Sequence, residues 1–252
     1  LDIIGVPDPR DWTHLDAAGS SATDLERGVA GLRVAYSPAL GWADQVAVDP
    51  EVASRAEQAV SVLADLGAHV EQVDPPVGAL GEVEHAFCVL WFTGAGKVLR
   101  AYGEDAIDRV DPALAEQVRR YADCSAQDYL DATAVRMDLG RALGVWHQRY
   151  DVLVGPTMPT AAFPARQPAP TGWPSPLWTS WSPFTYPFNM TGQPALSLPC
   201  GFTSGGLPVG LQVVGARHTD PTVLRVGHAY EQATSWHTRH PGATRVQEGD
   251  RR

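Results

Sequence analysis

A hydroxyl becomes a nucleophile only when a base takes its proton, so the first question is which bases this chain of 252 residues offers. Only one of its nineteen basic residues is a lysine, Lys97, in the stretch Gly94-Ala95-Gly96-Lys97. Lysine acts as a base where desolvation lowers its pKa, and the helical surroundings of Lys97 favour a snorkelling surface side chain. The one glycine-preceded serine pair, Ser20-Ser21, is followed by Ala22-Thr23-Asp24 and reads as an exposed linker. His147 and Asp151 could serve a Ser-His-Asp hydrolase, yet the sequence has no Gly-x-Ser-x-Gly elbow. The histidines, His14, His69 and His228 among them, follow no metal-ligand spacing, and there is no His-Glu-x-x-His. Cys88, Cys124 and Cys200 are odd in number and far apart, as suits reduced core thiols. Gly94-x-Gly96-Lys97 lacks the rest of a phosphate loop. We therefore expect no metal and no cofactor here.

Composition narrows the partners. With 44% hydrophobic and 19% charged residues the chain is a folding sequence. Its net charge of −10 repels phosphate backbones, which argues against nucleic acid. No apolar run reaches the ~18 to 20 residues of a membrane helix, and the first residues lack a secretory pattern. A protein of the cytoplasm, with no membrane partner, is the expectation.

The elements that would position a site follow from periodicity. Residues 32–36 alternate as a strand. Asp49-Pro50 then opens a helix in which Val52, Ala56, Ala59, Val60, Leu63 and Leu66 recur at helical spacing until Gly67. Residues 69–73 form a second strand, so the unit is a right-handed βαβ with a parallel pair. Long helices are predicted over 79–102 and 126–149, with a short one from Asp111-Pro112 to Arg120. The apolar run 151–155 has the character of a buried parallel strand whose C-terminal turn faces a ligand. Between Pro156 and Pro199 lie eleven of the twenty-one prolines, interleaved with Trp173, Trp178, Trp181, Phe184, Tyr186 and Phe188. This reads as an ordered non-helical loop, either a cover on the core or a pocket lining. Residues 195–198 and 209–214 form a hairpin, and Asp220-Pro221 caps a last helix running to about Ala233. The fold class is α/β, part of a large mixed sheet flanked by helices on both faces. The chain is read as a single domain over 1–252, with a lead-in loop over 1–30 and a frayed tail over 241–252.

Residues 187–202, PFNMTGQPALSLPCGF, and 206–215, GLPVGLQVVG, carry the most specific pattern. Together with DVLVGPTMP over 151–159 and the strand at Leu32, they resemble the C-terminal half of the amidase signature family. The resemblance runs in order from about residue 1 to residue 236. It implies hydrolysis or transfer at an amide carbonyl, by a serine whose proton passes through a second serine in a cis peptide to a lysine, with backbone N–H groups holding the oxyanion. That cluster would lie upstream of residue 1, so the isolated chain is expected to be inactive. The opening residues resemble the family's segment just after its signature region.

The resemblance leaves this chain the wall of the acyl pocket. It nominates Thr157 in the Gly-Pro-Thr turn, Phe188, Asn189 and Trp91, with core packing open for Trp91 and an Asx turn open for Asn189. Tyr129 and Arg136, seven apart on one helix face, could meet a polar or anionic group of the substrate, or Arg136 could be an ordinary surface residue. The aromatic stretch 173–188 suggests an aryl or apolar acyl group. The partners implied are a small-molecule amide, the missing N-terminal half and, because half a domain leaves edges and apolar faces open, further copies of this chain. The other reading is a noncatalytic binding or assembly module derived from a truncated amidase.

Overall fold

The computed structural model describes residues 24–239 together with residues 6, 8, 10, 11 and 13. The Ser20-Ser21 pair, most of the lead-in loop over 1–30 and the tail over 241–252 lie outside the described residues.

Strand β1 (Arg33–Tyr36) leads into α1 (Pro50–Asp65), β2 (His69–Gln72) and the helices α2 (Leu80–Arg100), α3 (Pro112–Arg120) and α4 (Ala126–Trp146). Then come β3 (Val152–Pro156), α5 (Tyr186–Thr191), the hairpin β4 (Ala195–Phe202) and β5 (Pro208–Gly215), and α6 (Asp220–Ala233). The helix starts are chemical. The Asp49 carboxylate accepts from the backbone N–H groups of Glu51 and Val52, and Asp111 does the same for Ala113 and Leu114. In both, proline fills the first helical position, where its missing N–H costs nothing. Ser125 and Asp128 close a capping box on α4.

The strands assemble in the order β2-β1-β3-β5-β4. β1 runs parallel to both β2 and β3, whereas β5 is antiparallel to both β3 and β4, so the sheet is mixed. Period-2 alternation sorts its side chains onto two faces. Val34, Val152, Val154, Leu211 and Val213 pack with Leu63 of α1 and Val226 and Tyr230 of α6. Ala35, Leu153 and Val214 pack on the opposite side with Phe92 of α2, Leu143 of α4 and Phe188 of α5. Helices cover both faces, and the fold is the α/β one expected.

Three local expectations are corrected. The proline-rich segment does hold a helix, Tyr186–Thr191: Pro187 sits in its first turn, where a proline is harmless, and Gly192 ends it in the left-handed conformation at φ 67°. Strand β4 does not stop at Leu198 but continues to Phe202, because it lies at an edge and a register shift between Pro199 and Gly201 absorbs the missing N–H. Asp220 does not cap α6; it is the first helical residue, and the Thr219 hydroxyl before it donates to Ala216 O at 2.8 Å.

The two edges differ. β2 is four residues long, with His69, Glu71 and Gln72 exposed. β4 packs Leu198 and Cys200 against the α6 side but leaves Ala195 and Ser197 exposed on the other. The central strand β3 is buried along its whole length, and a Cβ on its Gly155 would overlap the carbonyl oxygen of Ser37, at the end of β1. Gly155→Ala should therefore lower stability by about 2 kcal/mol or more, since a backbone atom cannot swing aside. Urea unfolding monitored by far-UV circular dichroism checks this, and an unchanged midpoint would refute it.

Candidate functional site

Thr157 is the first residue beyond β3, and its backbone N–H donates to Gly210 O at 2.9 Å, prolonging the β3–β5 ladder by one step. Its hydroxyl lies 2.7 Å from the Ser197 hydroxyl of β4, so the two side chains meet across the intervening strand β5. Gly210 makes this possible: a Cβ there would stand 2.8 Å from both oxygens. The hydroxyl pair lines a cavity of about 420 Å³ together with Met158, Phe163, Trp181 and Gly210. Phe163 and Trp181 stand edge to face at 5.2 Å, giving the cavity one aromatic wall.

Buried amides fix that wall to the sheet. Gln212 of β5 donates from Nε2 to Phe184 O at 2.9 Å. Gln193 donates to Gly215 O at 2.8 Å and accepts from the Thr191 hydroxyl at 2.9 Å, which ties the end of α5 to β5. These bonds are shielded from water, so losing one partner would leave a buried polar group unpaired. The aromatic segment thus serves both of its predicted roles: Phe184, Tyr186 and Phe188 are core, whereas Trp181 lines the cavity.

Of the six nominated residues, Thr157 lines this cavity. Phe188 is only 1% exposed within the core of the α2/α4/α5 layer. Asn189 is exposed on α5, and among the described residues its side chain has no hydrogen-bond partner, so no Asx turn forms. Trp91 is 47% exposed and stacks on Phe87 at 5.5 Å, which in turn stacks on Tyr186 at 4.6 Å. Tyr129 and Arg136 are exposed on α4. Sequence reasoning missed Ser197, Gly210, Gln193 and Gln212. For Ser197, Gly210 and Gln212 the available signal was a polar or glycine residue interrupting an otherwise apolar strand.

The discounted alternatives find the following places. Lys97 is exposed on α2. His147 is buried with Nδ1 3.1 Å from Tyr150 O, and burial lowers its pKa. The Asp151 carboxylate is held by Arg33, whose Nη2 approaches Oδ1 at 2.7 Å, so it does not orient the imidazole. No described helix is long and apolar enough to cross a membrane.

Comparison with known proteins follows the same geometry. A family model described as Amidase matches residues 1–224. An acylamidase of Rhodococcus erythropolis is 34% identical over 257 residues, which covers 98% of this chain and 52% of that protein. An amidase of Pseudomonas putida is 34% identical over 250 residues, covering 96% of this chain and 51% of that protein. Among solved structures, a bacterial aryl acylamidase of the amidase signature family superposes with a TM-score of 0.78 at 25% identity, over 92% of this chain and 49% of its own. The chain spans about half the length of the curated relatives it matches.

The close fit at Gly210 can be tested by substitution. Gly210→Ala should force the Thr157 and Ser197 hydroxyls apart and cost about 1 to 3 kcal/mol. In the Thr157→Val background the same change should cost measurably less, because the hydrogen bond is already gone. Equal costs in a double-mutant unfolding cycle would show that the hydroxyl pair is not what the glycine accommodates.

Proposed function

The chain belongs to the amidase family, and from that premise we propose that it forms the substrate-binding half of an amide hydrolase of the cytoplasm. The observation that carries this reading is the open side of β4, where the Thr157–Ser197 hydroxyl pair borders an aromatic-walled cavity. A second half, carrying the serine nucleophile, the cis-peptide serine and the lysine, would seat against that edge and bring its nucleophile over the cavity mouth. Relatives about twice as long as this chain support the division of labour.

In this arrangement the residues here bind and orient. The acyl group of the amide enters between Phe163 and Trp181, where removing an aryl group from water supplies binding energy at ~25 cal/mol per Å² of buried apolar surface. The Thr157–Ser197 pair can donate to or accept from the amide once one hydroxyl turns outward. Asn189, Trp91, Tyr129 and Arg136 are exposed and form the outer substrate wall. Attack on the carbonyl, and stabilisation of the oxyanion that results, fall to the other half. The amide is bound without a cofactor.

Ammonia release from a panel of aliphatic and aryl amides tests this, using the chain alone and the chain joined to an N-terminal half that carries the Ser, Ser and Lys. Turnover is expected only in the longer protein, with aryl amides preferred. There Thr157→Val should raise KM by roughly three- to tenfold, the loss of about one hydrogen bond. Turnover by the 252-residue chain alone, abolished by Lys97→Ala or Ser20→Ala, would contradict the proposal and point to a different site. Binding of amides with no turnover in either form would favour the noncatalytic module.

A further inference from the structure

The aromatic pair that walls the Thr157 cavity has a second side. Beyond it lies a further cavity of about 620 Å³, and the two cavities share two lining residues, Phe163 and Trp181. The pair is therefore a partition, with a space on each side in the range of about 300–1,000 Å³ that small molecules occupy. Trp181 is held in place. Its indole N–H donates to Pro168 O at 3.1 Å, and the backbone N–H groups of Ser180 and Ser182, on either side of it, close turns onto Leu177 O and Thr179 O. Thr157, Ser197 and Gly210 line the first cavity, and none of them lines the second. A group that starts at the hydroxyl pair and passes the partition enters the space beyond.

The second cavity offers a ligand apolar surface. The first turn of α3 contributes Pro112 and Leu114, and the proline-rich loop contributes the ring of Trp178. Its polar groups are committed elsewhere or face water. The Trp181 N–H is bonded to Pro168, and the Trp178 indole nitrogen is buried out of a ligand's reach. Asp111 is exposed and tied to the start of α3, where its Oδ1 accepts from Ala113 N at 2.9 Å and Leu114 N at 3.3 Å. Arg166, also exposed, brings the opposite charge, so neither an anion nor a cation is favoured. A ring or alkyl chain placed here leaves water without stranding a polar group. We propose that this cavity is the distal compartment of the acyl site, taking the second apolar group of a neutral amide whose acyl chain reaches past the Phe163–Trp181 partition. A rigid linear extension would run into the two rings, so the acyl chain turns at a flexible carbon. The inference rests on the reading of the Thr157 cavity as the acyl site, and it narrows the substrate class to amides of bent, two-ring acids.

Isothermal titration of the 252-residue chain with benzamide, 4-benzylbenzamide and N-benzylbenzamide tests this. The last two are isomers, with the second ring on the acyl side in one and on the nitrogen in the other, so general stickiness affects them alike. The acyl-side isomer should bind about tenfold or more tighter than benzamide, the scale expected from burying a phenyl ring, and clearly tighter than N-benzylbenzamide. Leu114→Trp, at a position that lines the distal cavity and not the first, should abolish that gain and leave benzamide binding unchanged. Ala113→Phe narrows the same cavity and takes its place if a melting curve shows that Leu114→Trp does not fold. Benzamide binding with no gain for 4-benzylbenzamide, equal gains for the two isomers, or a gain that survives the filled cavity would each overturn the distal compartment while leaving the Thr157 site standing. Failure of all three amides to bind would overturn both.

Discussion

The molecule is organised by one constraint: strand β3 must be buried on both faces and both edges at once. Its five residues, Val152–Pro156, are all buried, with β1 parallel on one side and β5 antiparallel on the other. Such a strand must satisfy every backbone group through its neighbours, because no water reaches it. Gly155 lets the chain pass beside the Ser37 carbonyl, where any side chain would collide. Asp151, just before the strand, anchors its start: its carboxylate accepts from Arg33 N at 2.7 Å and pairs with the Arg33 guanidinium, which holds it below the usual carboxylate range.

From that strand the functional face follows. A strand that ends buried must release its chain at the sheet surface, and Thr157 is the residue at that exit. β5 carries Gly210 beside it, and β4 brings Ser197 from the far side, so the hydroxyl pair bridges three strands. The same face of β5 holds Gln212, which clasps the aromatic loop at Phe184. Position, depth and the aromatic wall of the cavity are thus consequences of how β3 is enclosed.

Much of this was legible in the sequence. Asp-Pro pairs at 49–50 and 111–112 set helix starts because the carboxylate and the proline ring act locally. The apolar run before Gly155 announced a doubly covered strand for the same reason. Helix α5 was hidden because a proline in the first helical turn looks, in sequence, like one in a loop. The site was only partly visible. Thr157 stands in a turn that periodicity can place, whereas its partnership with Ser197 crosses forty positions and depends on the absence of a side chain at Gly210. Phe188 and Asn189 are adjacent in the same motif, yet helix geometry sends one into the core and the other to solvent.

The central claim is that the open side of β4, with its hydroxyl pair, is the surface completed by a second half. Amide hydrogen exchange, read by residue in the 252-residue chain and in the chain joined to an N-terminal amidase half, addresses it directly. The account predicts new protection in the longer protein at the β4 amides that point away from β5, and around Thr157 and Asn189, with β2 unchanged. Protection appearing at β2 instead, with β4 still exchanging freely, would contradict it.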